Sequence, residues 1–427
     1  MTPHPASSTH SALDAGPAPV LAIGHLNIGI RRADHTVRRV VNDFSLSMCA
    51  GEIVGLVGES GSGKTMIGRA VLQLLPPVAL IDGGLIEIDG KPLPKAGTPQ
   101  IRALRGRDVG MVFQEPMVSL NPALTVGEQM IEALRLHQGL SARAARVRCL
   151  AMLERVHIAE PSSCFTAYPH QFSGGMRQRI MLAAVLVMGP RLLIADEPTT
   201  ALDSIIQTEV MDIMVSLTRE LGTALLLISH DLALVAHYAS RVLVLRQGET
   251  MEAGQTASIL LSPQHEYTRS LLESMPARID CAHERSRKVL LEATGLCVDF
   301  SKKPLLFWRK PTIFRAVNRV DLSVREGATL AVVGESVSGK TTLGRTLVRL
   351  VHKNSASIRF DNEDLDNLSS EGLKRYRLQT QMVFQDPFSS LDPRMCLLDI
   401  VAEGLRGLPE LSTIERRARA LAMLADE

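Results

Sequence analysis

Apolar and polar positions alternate along residues 20–30 and 40–48, the period-two pattern of β-strands. The pattern then changes. Ile53 to Val57 is an unbroken apolar run, which predicts a buried strand, and Met66 to Leu75 predicts the start of a helix. Leu85-Ile86-Glu87-Ile88 is a short strand closed by the turn residues Asp89-Gly90, and Asp108 to Phe113 predicts another strand that delivers Gln114 at its end. Arg135 to Ile158 is rich in Ala, Leu and Arg at helical spacing and predicts a helical region, and the apolar Ile180 to Val187 predicts a further helix. Leu192 to Ala195 and Leu225 to Ile228 again read as apolar strands. Strands alternating with helices place the chain in the α/β class.

The chemistry gathers at the ends of these strands. Between the strand at 53–57 and the following helix stands Gly58-Glu59-Ser60-Gly61-Ser62-Gly63-Lys64-Thr65. Strand, glycine loop, Lys, Thr and helix is the arrangement that cradles a nucleotide triphosphate. Glycines let the backbone curl so that several N–H groups face one anion, and the helix that follows adds its positive end. In such a loop Lys64 reaches the β- and γ-phosphates and the Thr65 hydroxyl sits on Mg²⁺. Ser173-Gly174-Gly175 opens a helix and offers a second phosphate-ready backbone. Asp196-Glu197 ends a strand, so Asp196 is placed to hold Mg²⁺ and Glu197 to polarise a water. Ala201-Leu202-Asp203 makes a tight turn after Pro198, and His230 ends a last strand, within reach of a γ-phosphate. Taken singly, the last features have plain structural explanations: a turn, solvated acids, a strand-end histidine.

Composition narrows the class without deciding it. The chain has 427 residues, 45% hydrophobic and 22% charged, enough for two or three domains with ordinary cores. The net charge of +2 carries no message, and no basic run is interleaved with aromatics, so nucleic acid is not an expected partner. Residues 1–19 are rich in Pro, Ser, Ala, Thr and His and read as a disordered tail rather than a signal peptide. No apolar stretch reaches the roughly 18 residues that span a bilayer. Cysteines 49, 149, 164, 281, 297 and 396 show no close pairing or metal-ligand spacing and read as reduced thiols in a cytosolic protein.

The chain then starts again. After a charged linker at about 276–288, Leu290 to Phe300 and Phe314 to Val324 mirror the first two strands. Gly334-Glu335-Ser336-Val337-Ser338-Gly339-Lys340-Thr341 repeats the nucleotide loop, and Met382-Val383-Phe384-Gln385 repeats the segment ending in Gln114. One offset of 271 residues relates Gln385 to Gln114 and Leu421 to Leu150, and it carries a second Ser-Gly-Gly to about 444, past Glu427. Ser412-Thr413-Ile414-Glu415 reads as a capping box opening a helix. Val337 stands where Gly61 stands, and if that position needs positive φ, a β-branched residue there is strained by about 1–2 kcal/mol. The second loop is therefore expected to bind nucleotide more weakly.

The order of these motifs resembles the ATPase domain of ABC transporters over residues 20–260, and the repeat extends the resemblance to the end. Within that family, 114–122, 168–178 and 262–272 are similar to oligopeptide and dipeptide uptake ATPases, a cluster that includes glutathione and nickel importers. The resemblance implies a P-loop NTPase fold, a mixed sheet plus a helical subdomain, duplicated with an incomplete second copy. It divides the chain into a tail at 1–19, a first ATPase domain at 20–260, an extension and linker at 261–288, and a second domain at 289–427. It implies ATP contacts from Gly58, Ser60, Gly61, Ser62, Gly63, Lys64 and Thr65, from Ser173, Gly174 and Gly175, and from Gly334, Ser336, Ser338, Gly339, Lys340, Thr341 and Gln385. Catalysis falls to Glu197, His230 and Gln114, and Mg²⁺ to Thr65, Gln114, Asp196 and Thr341. Where the family carries an adenine-stacking aromatic upstream of the loop, this chain offers only His35.

The family binds two ATP between head-to-tail domains, each nucleotide held by one domain's loop and the other's Ser-Gly-Gly. One copy of this polypeptide is therefore not expected to assemble a complete site. The implied function is to energise peptide import from the cytoplasmic face of the inner membrane. The implied partners are integral membrane permease subunits, a periplasmic or extracellular solute-binding protein, and either a second copy or another ABC ATPase. The alternatives are a hydrolysis-deficient, ATP-binding remnant and a soluble ABC ATPase working on ribosomes or DNA.

Overall fold

The computed structural model describes residues 18–32, 34–113, 119–199, 204–274, 288–302, 312–334, 338–384, 390–408 and 411–425. Gln114, Ala201 to Asp203, Ser336, Val337 and Gln385 lie outside them. The chain divides into two compact units, Met1–Ile279 and Asp280–Glu427.

The first unit holds two sheets. The smaller is antiparallel, in the order Val37–Met48, Leu21–Arg31, Ala79–Ile88, Lys91–Pro92. The larger runs Glu249–Gln255, Arg241–Arg246, Ile53–Val57, Ala224–Ser229, Leu192–Asp196, Val109–Val112. All its neighbours pair in parallel except the Arg241–Arg246 and Glu249–Gln255 hairpin at one edge.

Every residue of Ile53–Val57, Leu192–Asp196, Ala224–Ser229 and Val109–Val112 is buried, which explains their unbroken apolar runs. The pleat sends alternate side chains to opposite faces. Ile53 and Val57 join one hydrophobic cluster with the helical part, and Val54 and Leu56 join the other, with the antiparallel sheet and the helix Lys64–Val71. The register matters for function. Val57 pairs with Ser229, and Asp196 pairs with Ile228, so the strands end level at one edge. Loops leaving the carboxyl ends of such strands are where ligands bind in open α/β sheets.

The predicted helical region at 135–158 is two helices, Val126–Gln138 and Ala142–Arg155. The first opens on a reciprocal capping box between Thr125 and Glu128 and stops at Gly139, whose φ of 63° is left-handed. The Ser141 side chain then accepts the Ala144 N–H and starts the second.

The second unit repeats the antiparallel sheet, in the order Thr312–Arg325, Val289–Lys302, Ser355–Phe360, Glu363–Asp364. The helix Lys340–Leu347 packs on it through Leu343 and Thr346, around a core that includes Leu296, Val298, Ile358 and Tyr376. Ser412 and Glu415 cap the helix Thr413–Ala425 reciprocally, as the sequence predicts. The repeat of the buried strands does not hold. Residues 330–334 and 381–384 form no strand, and Val333 and Val383 are 89% and 96% exposed. In the first unit the corresponding strands are flanked by Leu192–Asp196, Ala224–Ser229 and Arg241–Arg246, and no described strand of the second unit takes those places.

Candidate functional site

The level strand ends of the first unit surround a cavity of about 580 Å³, lined by Ile30, Val40, the loop and helix start from Ser60 to Met66, Glu197 and His230. This is within the range of about 300–1,000 Å³ common for small-molecule sites. The loop takes its shape from its neighbours. Gly63 has φ 101°, and a Cβ there would stand 2.6 Å from the Val40 carbonyl oxygen, so the antiparallel sheet presses on the loop at a point where only glycine fits.

Lys64 is buried. Its Nζ donates to the carbonyls of Gly58 at 2.7 Å and Glu59 at 2.8 Å and lies 3.4 Å from Ser62 Oγ. Burial pushes the ammonium below the ordinary lysine range, opposed by the carboxylates of Glu197, Asp196 and Glu59. A partly desolvated ammonium at the mouth of a loop is a strong partner for phosphate oxygens.

The next strand over supplies the acids. Thr65 Oγ1 donates to Asp196 Oδ1 at 2.9 Å, and Asp196 is 2% exposed. Burial raises the Asp196 carboxyl above its usual range, and the Thr65 hydrogen bond works against this. Among the described residues no three His, Cys, Asp or Glu cluster as a metal site. A hydroxyl and one carboxylate instead fit Mg²⁺, which keeps several waters and takes its remaining ligands from substrate phosphates. Beyond Asp196 the chain turns sharply. Glu197 has φ 47° and donates its N–H to the Ile228 carbonyl at 2.9 Å, which brings its carboxylate within 3.2 Å of His230 Nδ1.

The structure thus brings together the loop, Thr65, Asp196, Glu197 and His230. It does not bring Ser173, Gly174 or Gly175 into this cavity. Ser173 and Gly174 are exposed at the start of the helix Gly174–Leu186, where the Ser173 side chain accepts the Met176 N–H. That helix is tied to the acids from behind. The buried Gln178 amide donates to the Pro198 carbonyl, directly after Glu197, and a Cβ on Gly175 would meet Ile206 Cγ2 at 2.5 Å.

His35 is not among the cavity's lining residues; the apolar walls are Ile30 and Val40, either side of the turn that carries His35. Sequence reading missed both, since they look like ordinary alternating strand positions. In the second unit Gly339 repeats the device of Gly63, with φ 97° and a Cβ position 2.2 Å from the Ala316 carbonyl oxygen. Lys340 Nζ donates to the Gly334 carbonyl at 2.7 Å, as Lys64 does to Gly58. Thr341 opens the following helix beside Lys340, and Ser338 lies exposed just before Gly339.

Comparison with known proteins places this geometry. The family model for ABC transporters matches residues 41–200 and again 317–425. The chain is 42% identical over 408 residues to the uncharacterized ABC transporter ATP-binding protein YejF of Escherichia coli K12, covering 95% of this chain and 77% of that protein. It is 41% identical over 410 residues to the peptidoglycan transport ATP-binding protein YejF of Agrobacterium fabrum, covering 96% and 75%. It is 39% identical over 430 residues to the glutathione import ATP-binding protein GsiA of Escherichia coli K12, covering 92% and 68%. The dimeric structure of MJ0796, a bacterial ABC transporter cassette, overlays on 55% of the chain and 98% of the cassette, with a TM-score of 0.50 and 25% identity. With two family matches on one polypeptide and relatives similar along nearly its whole length, the chain belongs to the ABC transporter family, as one of its ATP-binding proteins.

Proposed function

We propose that this chain binds and hydrolyses ATP to drive an ABC importer of oligopeptides or dipeptides, working at the cytoplasmic face of the cell membrane against integral permease subunits fed by a solute-binding protein. The observation that carries the ATPase reading is that Lys64, Thr65, Glu197 and His230 line one cavity, with the buried Asp196 bonded to Thr65. The peptide class is supported by the relatives, named for peptidoglycan transport and glutathione import. Among the described residues no helix is long and apolar enough to cross a membrane.

The proposed roles follow from position. Backbone N–H groups between Ser60 and Thr65 hold the phosphates, and Lys64 turns from the loop carbonyls to the β- and γ-phosphate oxygens. Thr65 and Asp196, with Gln114, would hold Mg²⁺, which supplies charge neutralisation on the phosphates. Glu197 orients the attacking water and accepts its proton, while His230 holds the Glu197 carboxylate and faces the γ-phosphate. Catalysis of this kind is mostly positioning and electrostatics. The exposed Ser173-Gly174 edge would close over a nucleotide held by another loop, either a second copy's or another ABC ATPase's.

The test is phosphate release by the purified chain over a range of protein concentration, with and without permease subunits in vesicles. A rate per chain that rises with concentration, and rises further with permease and peptide, supports the proposal. A concentration-independent rate unaffected by permease would refute coupling to import.

A further inference from the structure

The segment Ser262 to Leu272 resembles peptide importers in sequence, yet none of its residues lines the nucleotide cavity. It nonetheless reaches the phosphate loop. Glu252 accepts the backbone N–H groups of Gln264 at 2.9 Å and His265 at 3.1 Å, and the His265 ring caps the helix Glu266–Glu273 by accepting the Tyr267 N–H at 3.0 Å. These contacts seat Tyr267, which is 6% exposed, with the Arg246 guanidinium 4.8 Å from its ring centroid. The Tyr267 hydroxyl then accepts the Glu59 N–H at 3.3 Å.

Glu59 is the residue whose carbonyl holds Lys64 Nζ at 2.8 Å and accepts the Ser62 N–H at 3.2 Å. The Glu59 N–H shares its planar peptide with the Gly58 carbonyl, which accepts Lys64 Nζ at 2.7 Å, so that peptide is held on one side by Tyr267 and on the other by the loop's own lysine. A contact spanning 208 residues fixes the plane on which Lys64 rests. Burial keeps the phenol protonated well past neutrality, so the hydroxyl remains a neutral acceptor throughout the working range.

We propose that Tyr267 is a positioning residue for ATP binding, acting through the Gly58–Glu59 peptide to hold the phosphate loop and Lys64 ready for the triphosphate. The extension is then part of the nucleotide site's scaffold, and whatever displaces it loosens the loop. The proposal rests on the ATPase reading above.

The test is Tyr267→Phe in the full chain, which keeps the ring, its burial and its stacking on Arg246 and removes only the hydroxyl. Three quantities are read: the thermal midpoint without nucleotide, the amide exchange rate of Glu59, and KM and kcat for ATP. The expected result is an unchanged midpoint, faster exchange at Glu59, a KM raised about 5- to 10-fold and a kcat within twofold of the parent, since one hydrogen bond accounts for about that factor. Tyr238→Phe is the control. That tyrosine is also buried but its hydroxyl donates to Asp212 at 2.8 Å, so KM should not move. Glu252→Gln, which weakens the seat of the extension, should shift KM in the same direction as Tyr267→Phe. An unchanged KM in Tyr267→Phe, or a fall in kcat alone, overturns the proposal. A parent chain that binds no ATP would instead overturn the functional reading, and the two failures are told apart by the parent's own titration.

Discussion

His230 Nδ1 lies 3.2 Å from Glu197 Oε1, although the two residues leave different strands. The contact depends on the parallel register, because the Glu197 N–H bonds to the Ile228 carbonyl, two residues before His230. Glu197 also sits at φ 47°, a left-handed conformation uncommon outside glycine, which aims its carboxylate at the cavity. If Glu197 accepts the water's proton, Glu197→Gln should keep ATP affinity within about threefold and lower turnover by roughly 10²–10⁴, the usual contribution of a general base. Unchanged phosphate release would remove Glu197 from the mechanism.

Asp196 carries a cost that function explains. Burial raises its carboxyl above 3.8, so the native state holds this proton more tightly than the unfolded chain does. The contribution is most favourable below pH 3.8 and is lost as pH rises through the raised value, leaving a net burial cost at neutral pH that the Thr65 hydrogen bond only partly offsets. Asp196→Asn should therefore raise the nucleotide-free melting temperature at pH 7. A gain of ~1 kcal/mol corresponds to about 2–4 °C in a domain of this size. The gain should shrink toward pH 4, and the stabilisation that Mg-ATP confers on the parent should be lost. A lower melting temperature for Asp196→Asn at pH 7 would contradict the burial argument.

Gly175 and Ile206 meet where the Ser-Gly-Gly helix rests on the helix Ser204–Leu221. Gly175→Ala places a methyl 2.5 Å from Ile206 Cγ2 and should cost about 1–3 kcal/mol through overpacking. Shortening the partner should recover much of that cost, so urea unfolding of Gly175→Ala, Ile206→Ala and the double variant should show a favourable coupling of at least ~0.5 kcal/mol. Additive losses would show that the helices separate freely there.

The first loop holds Gly61 at φ 79°, the position that Val337 occupies in the second. Gly61→Val should weaken ATP binding by about 5- to 30-fold, the equivalent of ~1–2 kcal/mol of left-handed strain. Val337→Gly should strengthen labelling of Lys340 by a reactive ATP analogue. Equal labelling of Lys64 and Lys340 in the parent would overturn the inequality between loops.

Legibility followed the range of the interactions. The strand at 53–57, the loop from Gly58 to Thr65, the acids at 196–197 and the helix cap at Ser412 were readable because each is set by a few consecutive residues. The break between Gln138 and Ala142 had a readable signal too, in Gly139 and Ser141, but helical composition on both sides hid it. Ile30 and Val40 carried no such signal, and Tyr267 stood out only within the family-like segment 262–272, with nothing to tie it to the loop. Their roles come from a sheet pressed against a loop and from a helix returning to it, contacts between residues far apart in the chain.

The amino-acid order alone determined that this is a duplicated nucleotide-binding chain, because glycine spacing, apolar runs and terminal carboxylates are local consequences of backbone sterics and burial. Tertiary structure decided which of these groups share a cavity. Parallel register brings Lys64, Asp196, Glu197 and His230 to one edge and leaves Ser173 and Gly174 facing outward. It also decided that the apolar runs of the first unit become one buried parallel sheet, since each strand pairs with its neighbours there. A strand exists only through the hydrogen bonds of its neighbours, and those neighbours are far apart in the chain.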